Sequence, residues 1–205
     1  MALTKVIGNG LGTLGDGTAN DTKIVFDGNA QDYHIGLDDS ADALVIGKGS
    51  ALGTTTSMSF DENGIITKPL QPAFLVRGTQ QNNIANGTTL QFGTEIFDQN
   101  SDFASNAFTA PVTGRYQLSF SIRFVELDSA ASFYIFRLET SNTNYNPIFS
   151  GNIFSSDVTY YSYQFSLLVD MDANDTASVV FIQSGGTAQT DNDASNAFFS
   201  GHLVC

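Results

Sequence analysis

The chain has 205 residues and a mass of 21.9 kDa, enough for one good-sized domain and a smaller appendage. Its net charge is -13, from 21 acidic residues against 8 Lys and Arg, so no basic face can be assembled to bind nucleic acid or an anionic membrane. No apolar run approaches the ~20 residues of a membrane span, and the N-terminus lacks the apolar core of a signal peptide. We therefore expect neither membrane insertion nor Sec-type secretion, and the single cysteine, Cys205, excludes an intrachain disulfide.

The chain begins with a glycine-rich segment in which "GLGTLG", residues 10–15, matches the dinucleotide-binding pattern G-x-G-x-x-G. That pattern needs a helix after the glycines, because the helix N-terminus holds the phosphates. The next residues, "DGTANDTK", are turn formers without an apolar helical face, and Asp16 and Asp21 would repel phosphate. We interpret residues 1–22 as a flexible or tightly turned attachment segment.

Short apolar runs follow between residues 23 and 70, at intervals of roughly ten residues, separated by turn signals such as Asp27-Gly28 and Asn63-Gly64. The runs are "KIVF", "YHIGL", "ALVIG", "SMSF" and "GIIT". Each predicts a strand that is too short and too sparsely apolar to form a core within one chain. Residues 23–70 are therefore predicted to be a slim β shaft in which several chains wind around a shared axis.

A change of composition at "KPLQP" marks the boundary of a second domain, residues 71–205. Pro69 and Pro72 hold the chain extended there, and 15 of the 17 Phe lie after residue 70. In "RYQLSFSIRF", residues 115–124, apolar and polar side chains alternate strictly, which predicts a strand with one buried face. "YSYQFSLLVDM", residues 161–171, shows a similar alternation. The second domain is predicted to be an all-β sandwich.

Two runs of this domain, "FYIF" (residues 133–136) and "VVFI" (residues 179–182), are apolar on both faces. A lone sandwich would leave one of those faces in water, so we expect another copy of the chain to cover it. The candidate interface or core residues are Phe133, Tyr134, Phe136, Val180 and Ile182.

"FTAPVTGRYQLSFSI", residues 108–122, resembles the signature of the complement C1q globular-head family, which belongs to the superfamily of tumour necrosis factor. Phe108, Gly114, Tyr116 and Phe120 match its pattern, whereas Leu118 stands where Phe is usual. "PAFLVRG" is similar to the first strand of the family and "FFSGHLVC" to the last, so the resemblance spans about residues 72–205. Upstream of residue 108, the spacing of the Phe and Asn/Asp positions resembles the shorter version of this family pattern that is found in bacterial and bacteriophage proteins.

The resemblance implies a ten-stranded jelly roll that forms a tight homotrimer, with both termini at its base, and that binds other molecules without catalysing a reaction. The first segment, notably "TKIVFDGNAQDYHIGLDDSADALVIG", resembles the shafts of bacteriophage tail fibres. Together these resemblances imply a trimeric C1q-like knob on a β shaft.

Catalytic and metal-binding patterns are weak in this sequence. His34 and His202 are the only histidines, and no G-x-S-x-G places a nucleophilic serine beside either. "DMDAND" begins like a calcium loop but carries Asp175 where glycine is required. We expect no enzymatic activity and no cofactor.

Counting antiparallel strands back from the last one places the loops 125–131, 155–158 and 185–195 at the end opposite the termini, the apex. We predict that this apex contacts the receptor. Three copies would gather many acids there, and bound calcium, with Asp191 and Asp193 as ligands, would relieve their repulsion; the alternative is a solvated acidic rim. The candidate receptor-binding residues are Glu126, Asp128, Asp157, Gln189, Asp191, Asn192 and Asp193.

These observations and resemblances predict a bacteriophage virion protein, a fibre or spike whose knob attaches to a host-surface protein or glycan. Its N-terminal segment would dock onto other virion proteins. A capsid head fibre or decoration protein with the same knob is one alternative, and a polysaccharide depolymerase is another.

Overall fold

The computed structural model describes residues 14–205; residues 1–13, with most of the glycine-rich pattern and of the predicted attachment segment, lie outside the described residues. Between Leu70 and Gln71 the chain divides into two compact units, which we call the N-terminal unit (residues 14–70) and the C-terminal unit (residues 71–205). In the described part of the chain the fold is all-β: its helical segments are three-residue 3₁₀ turns at Asp39–Ala41, Gly151–Ile153 and Ala194–Asn196. No helix among those residues could cross a membrane.

The N-terminal unit is one antiparallel sheet whose five strands follow each other in chain order. Asp38 shapes its second turn, because the carboxylate accepts a hydrogen bond from Ala41 N at 3.3 Å and Asp42 then adopts a left-handed conformation. The strands are β1 Thr22–Phe26, β2 Tyr33–Asp38, β3 Ala43–Lys48, β4 Thr56–Phe60 and β5 Ile66–Thr67.

One face of this sheet is closed over by the chain's own residues 49–55. His34 and Asp38 are buried on it, and His34 Nδ1 lies 2.8 Å from the carbonyl oxygen of Gly49. A Cβ at Gly47 would stand 2.5 Å from His34 Nε2, so glycine lets the imidazole pack flat against β3. We call this the covered face.

The opposite face, which we call the apolar face, carries rows of apolar side chains across the strands. The register of β1 to β4 places the middle row side by side, and a second row runs beside it from β2 to β5. The middle row is Ile24, Ile35, Ile46 and Met58, and the second row is Leu37, Leu44, Phe60 and Ile66.

The C-terminal unit contains thirteen strands, β6 to β18. In chain order they are β6 Ala73–Arg77, β7 Thr88–Thr89, β8 Thr94–Asp98, β9 Phe103–Ala104, β10 Ala107–Thr109, β11 Gly114–Leu127, β12 Ala131–Thr140, β13 Asn144–Tyr145, β14 Ile148–Phe149, β15 Val158–Met171, β16 Thr176–Gly185, β17 Asp191–Asn192 and β18 Phe198–Leu203. The first sheet has the order β15-β11-β18-β6-β8, with β17 beside β11. The second has the order β13-β12-β16-β10-β9, with β14 beside β12 and β7 beside β16.

The core lies between these two sheets and is dominated by aromatic rings. The alternation predicted for residues 115–124 of β11 is confirmed, since the apolar side chains of this stretch are all buried in the core. Phe124 and Phe136 stack across the core with ring centroids 4.3 Å apart. Glycine is required at Gly201, where a Cβ would stand 2.4 Å from Leu118 Cδ2. The buried β11 residues are Tyr116, Leu118, Phe120, Ile122 and Phe124.

Both ends of the C-terminal unit lie together, as the resemblance implied. Leu203 N donates to Pro72 O at 3.0 Å, and Gln71 Nε2 donates to Leu203 O at 2.7 Å. Arg115 N, near the start of β11, donates to Cys205 O at 2.7 Å. This end is the base, and the far end of β11 is the apex.

The structure divides the residues predicted to be interface or core between the two faces of the second sheet. Tyr134 and Phe136 point into the core and are fully buried within one chain. Phe133 and Ile182 lie half-buried on the outer face of the second sheet. Val180, also on that face, is only 5% exposed in the single chain and needs no second copy to cover it.

Candidate binding surface at the apex of the C-terminal unit

Three loops predicted to share the apex are joined there by one carboxylate. Asp157 Oδ1 accepts hydrogen bonds from Ser129 N at 2.9 Å and Ser129 Oγ at 2.8 Å. Its Oδ2 accepts from Gln189 Nε2 at 2.8 Å. The loops before β12, before β15 and after β16 are therefore held together by side chains that are themselves on the surface.

These contacts favour the ionised form of Asp157. The pKa of its carboxyl group lies below the ordinary value, first because of the Ser129 backbone N–H and then because of the Gln189 and Ser129 side chains. The side chain stays fully charged at neutral pH and remains exposed.

Asp128, another predicted receptor contact, instead supports the loops from within. It is 5% exposed, and its carboxylate accepts from Ala130 N at 2.7 Å and from Thr187 N at 2.6 Å. Its backbone exchanges hydrogen bonds with the hydroxyl of Tyr134, whose pKa is raised chiefly by burial. A Cβ at Gly186 would stand 2.4 Å from Asp128 Oδ2, so the loop needs glycine there. The prediction that Asp128 contacts a receptor is therefore wrong.

Asp193 is paired with Arg123 on the neighbouring strand β11. Arg123 Nε donates to Asp193 Oδ2 at 2.9 Å, and a second guanidinium nitrogen contacts the same oxygen. Asp193 Oδ1 also caps the turn Ala194–Asn196 by accepting from Ser195 N at 2.9 Å. The Arg123 hydrogen bond is the main cause that lowers the pKa of Asp193.

The short strand β17 ties a further segment, residues 79–84, to the apex. Asp191 Oδ1 accepts from Asn83 N at 2.7 Å. Asn192 is fully buried, and its Nδ2 donates to Thr79 O at 3.2 Å. Asn192 is thus a structural residue and not the receptor contact that the sequence predicted.

Asp191 and Asp193, the predicted calcium ligands, are engaged elsewhere in the single chain, with Asn83 N and Arg123 respectively. Across residues 14–205, no three His, Cys, Asp or Glu side chains stand close enough together to hold a metal ion. Calcium binding remains an untested hypothesis for which one chain offers no complete site.

The residues left available at the apex surround a shallow cavity of about 310 Å³, which we call the apical cavity. Two of its residues offer exposed carboxylates, and one of these, Glu126, is presented by a backbone in the left-handed conformation (φ 58). An amide and a hydroxyl complete a set of hydrogen-bonding groups suited to hydroxyl, amine or guanidinium donors. The lining residues are Glu126, Asp157, Val158, Thr159 and Gln189.

A cation–π pair lies near the start of β15, next to the residues of that strand that line the apical cavity. The guanidinium carbon of Arg123 lies 5.3 Å from the ring centroid of Tyr160, and that ring is 63% exposed. Sequence reasoning did not assign this pair to the site. The signal was available, because the alternation of β11 places Arg123 outside the core and that of β15 does the same for Tyr160.

No family model matches the chain, and no curated protein matches it. Among solved structures it is similar to the globular domain of zebrafish complement 1qA, with 19% identity and a TM-score of 0.51 over 66% of this chain and 98% of that one. A crystal structure of murine APRIL aligns at 10% identity and a TM-score of 0.47 over 65% and 99% of the two chains. These structures lend no support to a bacteriophage origin. The first likeness, with the two-sheet topology, shows that the C-terminal unit has a C1q-like jelly-roll fold.

Proposed function

We propose that this chain is a trimeric attachment protein whose C-terminal jelly roll binds a cell-surface component through the apical cavity. The observation that carries the proposal is the exposed, ionised Asp157 that joins three loops around that cavity. Binding residues are commonly found on loops held by a rigid β scaffold, and loops that are already fixed lose less conformational entropy on binding.

The chemistry of the cavity favours a ligand that offers several hydrogen-bond donors. Glu126 and Asp157 accept hydrogen bonds, and the exposed ring of Tyr160 provides a flat apolar surface beside them. A glycan, which combines hydroxyl donors with an apolar sugar face, fits both features. A basic protein segment fits the carboxylates and is the other ligand to test.

The resemblance to the C1q family motivates the trimer, and the open edge of the first sheet offers a surface for it. β15 is a 14-residue strand at that edge, and its neighbour in the sheet is β11 alone. Half-buried rings crowd the same edge: Phe149 lies 5.0 Å from Tyr161, and Phe154 lies 5.3 Å from it, between ring centroids. A long edge strand with apolar neighbours is a surface that proteins normally cover.

The outer face of the same sheet provides a complementary surface. Ser119, Ser121, Ser166 and Ser200 lie there beside Phe198 and line a groove of about 400 Å³. Small side chains allow close approach of a second backbone. Docking the aromatic edge of one copy onto the serine groove of the next is a heterologous contact, and a threefold rotation between copies would close it into the proposed ring of three chains.

The setting we propose is a bacteriophage fibre or spike, with the protein located on the virion. This rests on the resemblance of the first seventy residues to tail-fibre shafts and on the bacterial or phage spacing before Phe108. Residues 1–22 would then dock onto another virion protein.

Binding of the full chain to a panel of bacterial cells and to a glycan array tests the proposal. We expect the double variant Glu126→Gln, Asp157→Asn to lose binding, while Asp170→Asn, which removes an exposed acid at the base, keeps it. Equal binding by both variants would overturn the site. Release of reducing sugar from host capsule would instead indicate a depolymerase, and a monomeric mass in light scattering would overturn the trimer.

A further inference from the structure

The apolar face of the N-terminal unit is exposed although its residues are suited to a core. Six of its side chains, spread over β1, β2 and β3, are between 37 and 60% exposed. Adjacent rows of the register place them side by side, so they form one continuous patch. They are Ile24, Phe26, Tyr33, Leu37, Leu44 and Ile46.

The covered face already provides the N-terminal unit with one buried side of its sheet. On it His34 is 1% exposed and Val45 is 3% exposed, and the segment 49–55 closes over it. The chain thus covers one side of the sheet with its own loop, while the side richer in large apolar residues stays open.

The size of the patch is that of a specific interface. Side chains of this type, about half exposed, present together on the order of 600 Å², near the ~800 Å² per partner of a standard interface and at the upper limit of the largest patches on monomers. Removing apolar area of that size from water favours association and offsets part of the entropy that association costs.

The charges of the unit indicate which partner can approach this face. Asp38 is the only acid in the five strands, and the register places it on the covered face beside Ala43. Lys48 stands at the end of a row on the apolar face, beside Tyr33. A chain of net charge -13 repels its own copies over most of its surface. The strand residues of the apolar face include no acid, so a second copy can approach this face with less repulsion.

We infer that the apolar face is an interface between copies of this chain, in which the sheets of neighbouring copies pack around a common axis. The inference rests on the proposed trimer, since three associated C-terminal units hold three N-terminal units at a local concentration of the order of millimolar. Each apolar face then contacts the same face of its neighbours, and the covered faces point to solvent.

Thiol labelling of the full chain tests this with two positions matched in exposure. Ile46 on the apolar face and Val25 on the opposite face are each 37% exposed in the single chain. In a Cys205→Ser background, we expect the thiol of Ile46→Cys to react with a maleimide on the order of tenfold more slowly than that of Val25→Cys. Both thiols should react equally fast in concentrated urea. Leu37→Cys serves as a second variant on the apolar face if Ile46→Cys does not fold.

Light scattering on the same samples separates this inference from the proposed function. Equal labelling rates in a trimeric sample would overturn the interface and leave the trimer of the C-terminal units intact. Protection of Ile46→Cys that disappears on deletion of residues 2–13, with the mass still trimeric, would overturn it in favour of cover by the chain's own N-terminal segment. A monomeric sample would overturn the inference and the trimer together, whereas protected trimers that bind no cells or glycans would contradict only the attachment function.

Discussion

Asp157 and Ser129 join two loops of the apex through a pair of hydrogen bonds, 2.9 Å to the backbone nitrogen and 2.8 Å to the hydroxyl. Because Gln189 occupies the other carboxylate oxygen, one exposed side chain fixes the mutual position of three loops. The geometry of the apical cavity thus depends on a residue that is also part of its lining.

Acidification should loosen the apex only at low pH. The pKa of Asp157 is lowered in the folded state, so its contribution to stability is present above the unfolded-state value of about 3.9 and is lost as the pH falls through the folded-state value. We expect amide exchange at Ser129 to be constant from neutral pH down to about pH 5, after correction for the intrinsic rate, and protection to fall below about pH 4. Asp157→Asn should show reduced protection at every pH, and protection lost near neutral pH in the unsubstituted chain would contradict this assignment.

The Arg123–Asp193 pair should contribute measurably to stability. Asp193→Ala removes both the ion pair and the cap of the turn Ala194–Asn196, and we expect a loss of roughly 1–2 kcal/mol in urea unfolding. Arg115→Ala is the matched control, because its contact with Asp170 is 3.9 Å long and both side chains are well exposed. The control should change stability by less than about 0.5 kcal/mol; equal losses in the two variants would show that the pair at the apex has no special role.

Phe136 and Phe133 lie on opposite faces of β12 and should differ in what they stabilise. Phe136→Ala leaves a cavity beside Phe124 and should cost about 3–5 kcal/mol of unfolding free energy at any protein concentration. Phe133→Ala, at a half-buried position on the outer face, should cost less. Thermal melts over a range of protein concentrations make the comparison, and a larger loss for Phe133→Ala would place the core on the wrong side of this strand.

Gly186 should tolerate alanine much less well than Gly87. Both residues have a positive φ, but a Cβ at Gly186 would stand 2.4 Å from Asp128 Oδ2, whereas at Gly87 it would have no neighbour within 4 Å. We expect Gly87→Ala to cost about 1 kcal/mol through backbone strain alone and Gly186→Ala to cost more. Urea unfolding of the two variants gives the difference directly, and equal costs would mean that the loop can move away from Asp128.

The local sequence pattern was sufficient to predict burial wherever the direction of a side chain follows from its neighbours in the chain. The alternation of residues 115–124 predicts which side chains of β11 are buried, because successive side chains of a strand must point to opposite faces. The same rule gives no prediction for "FYIF", because both of its faces are apolar and alternation does not distinguish the face that contacts the core. Only the position of β12 beside β16, facing the first sheet, placed Phe136 inside and Phe133 outside.

Side-chain period was enough to predict β strands and the alternation of the long ones, and strand direction together with the family resemblance predicted the end of the jelly roll where the apical loops meet. The sequence could not separate Asp128 from Asp157, two loop acids without local distinction. The tertiary structure makes one a buried acceptor for Thr187 N and leaves the other at the surface between Ser129 and Gln189. The difference arises from partners 28 to 59 residues away in the chain, which are brought near only when the two sheets pack and their connecting loops converge.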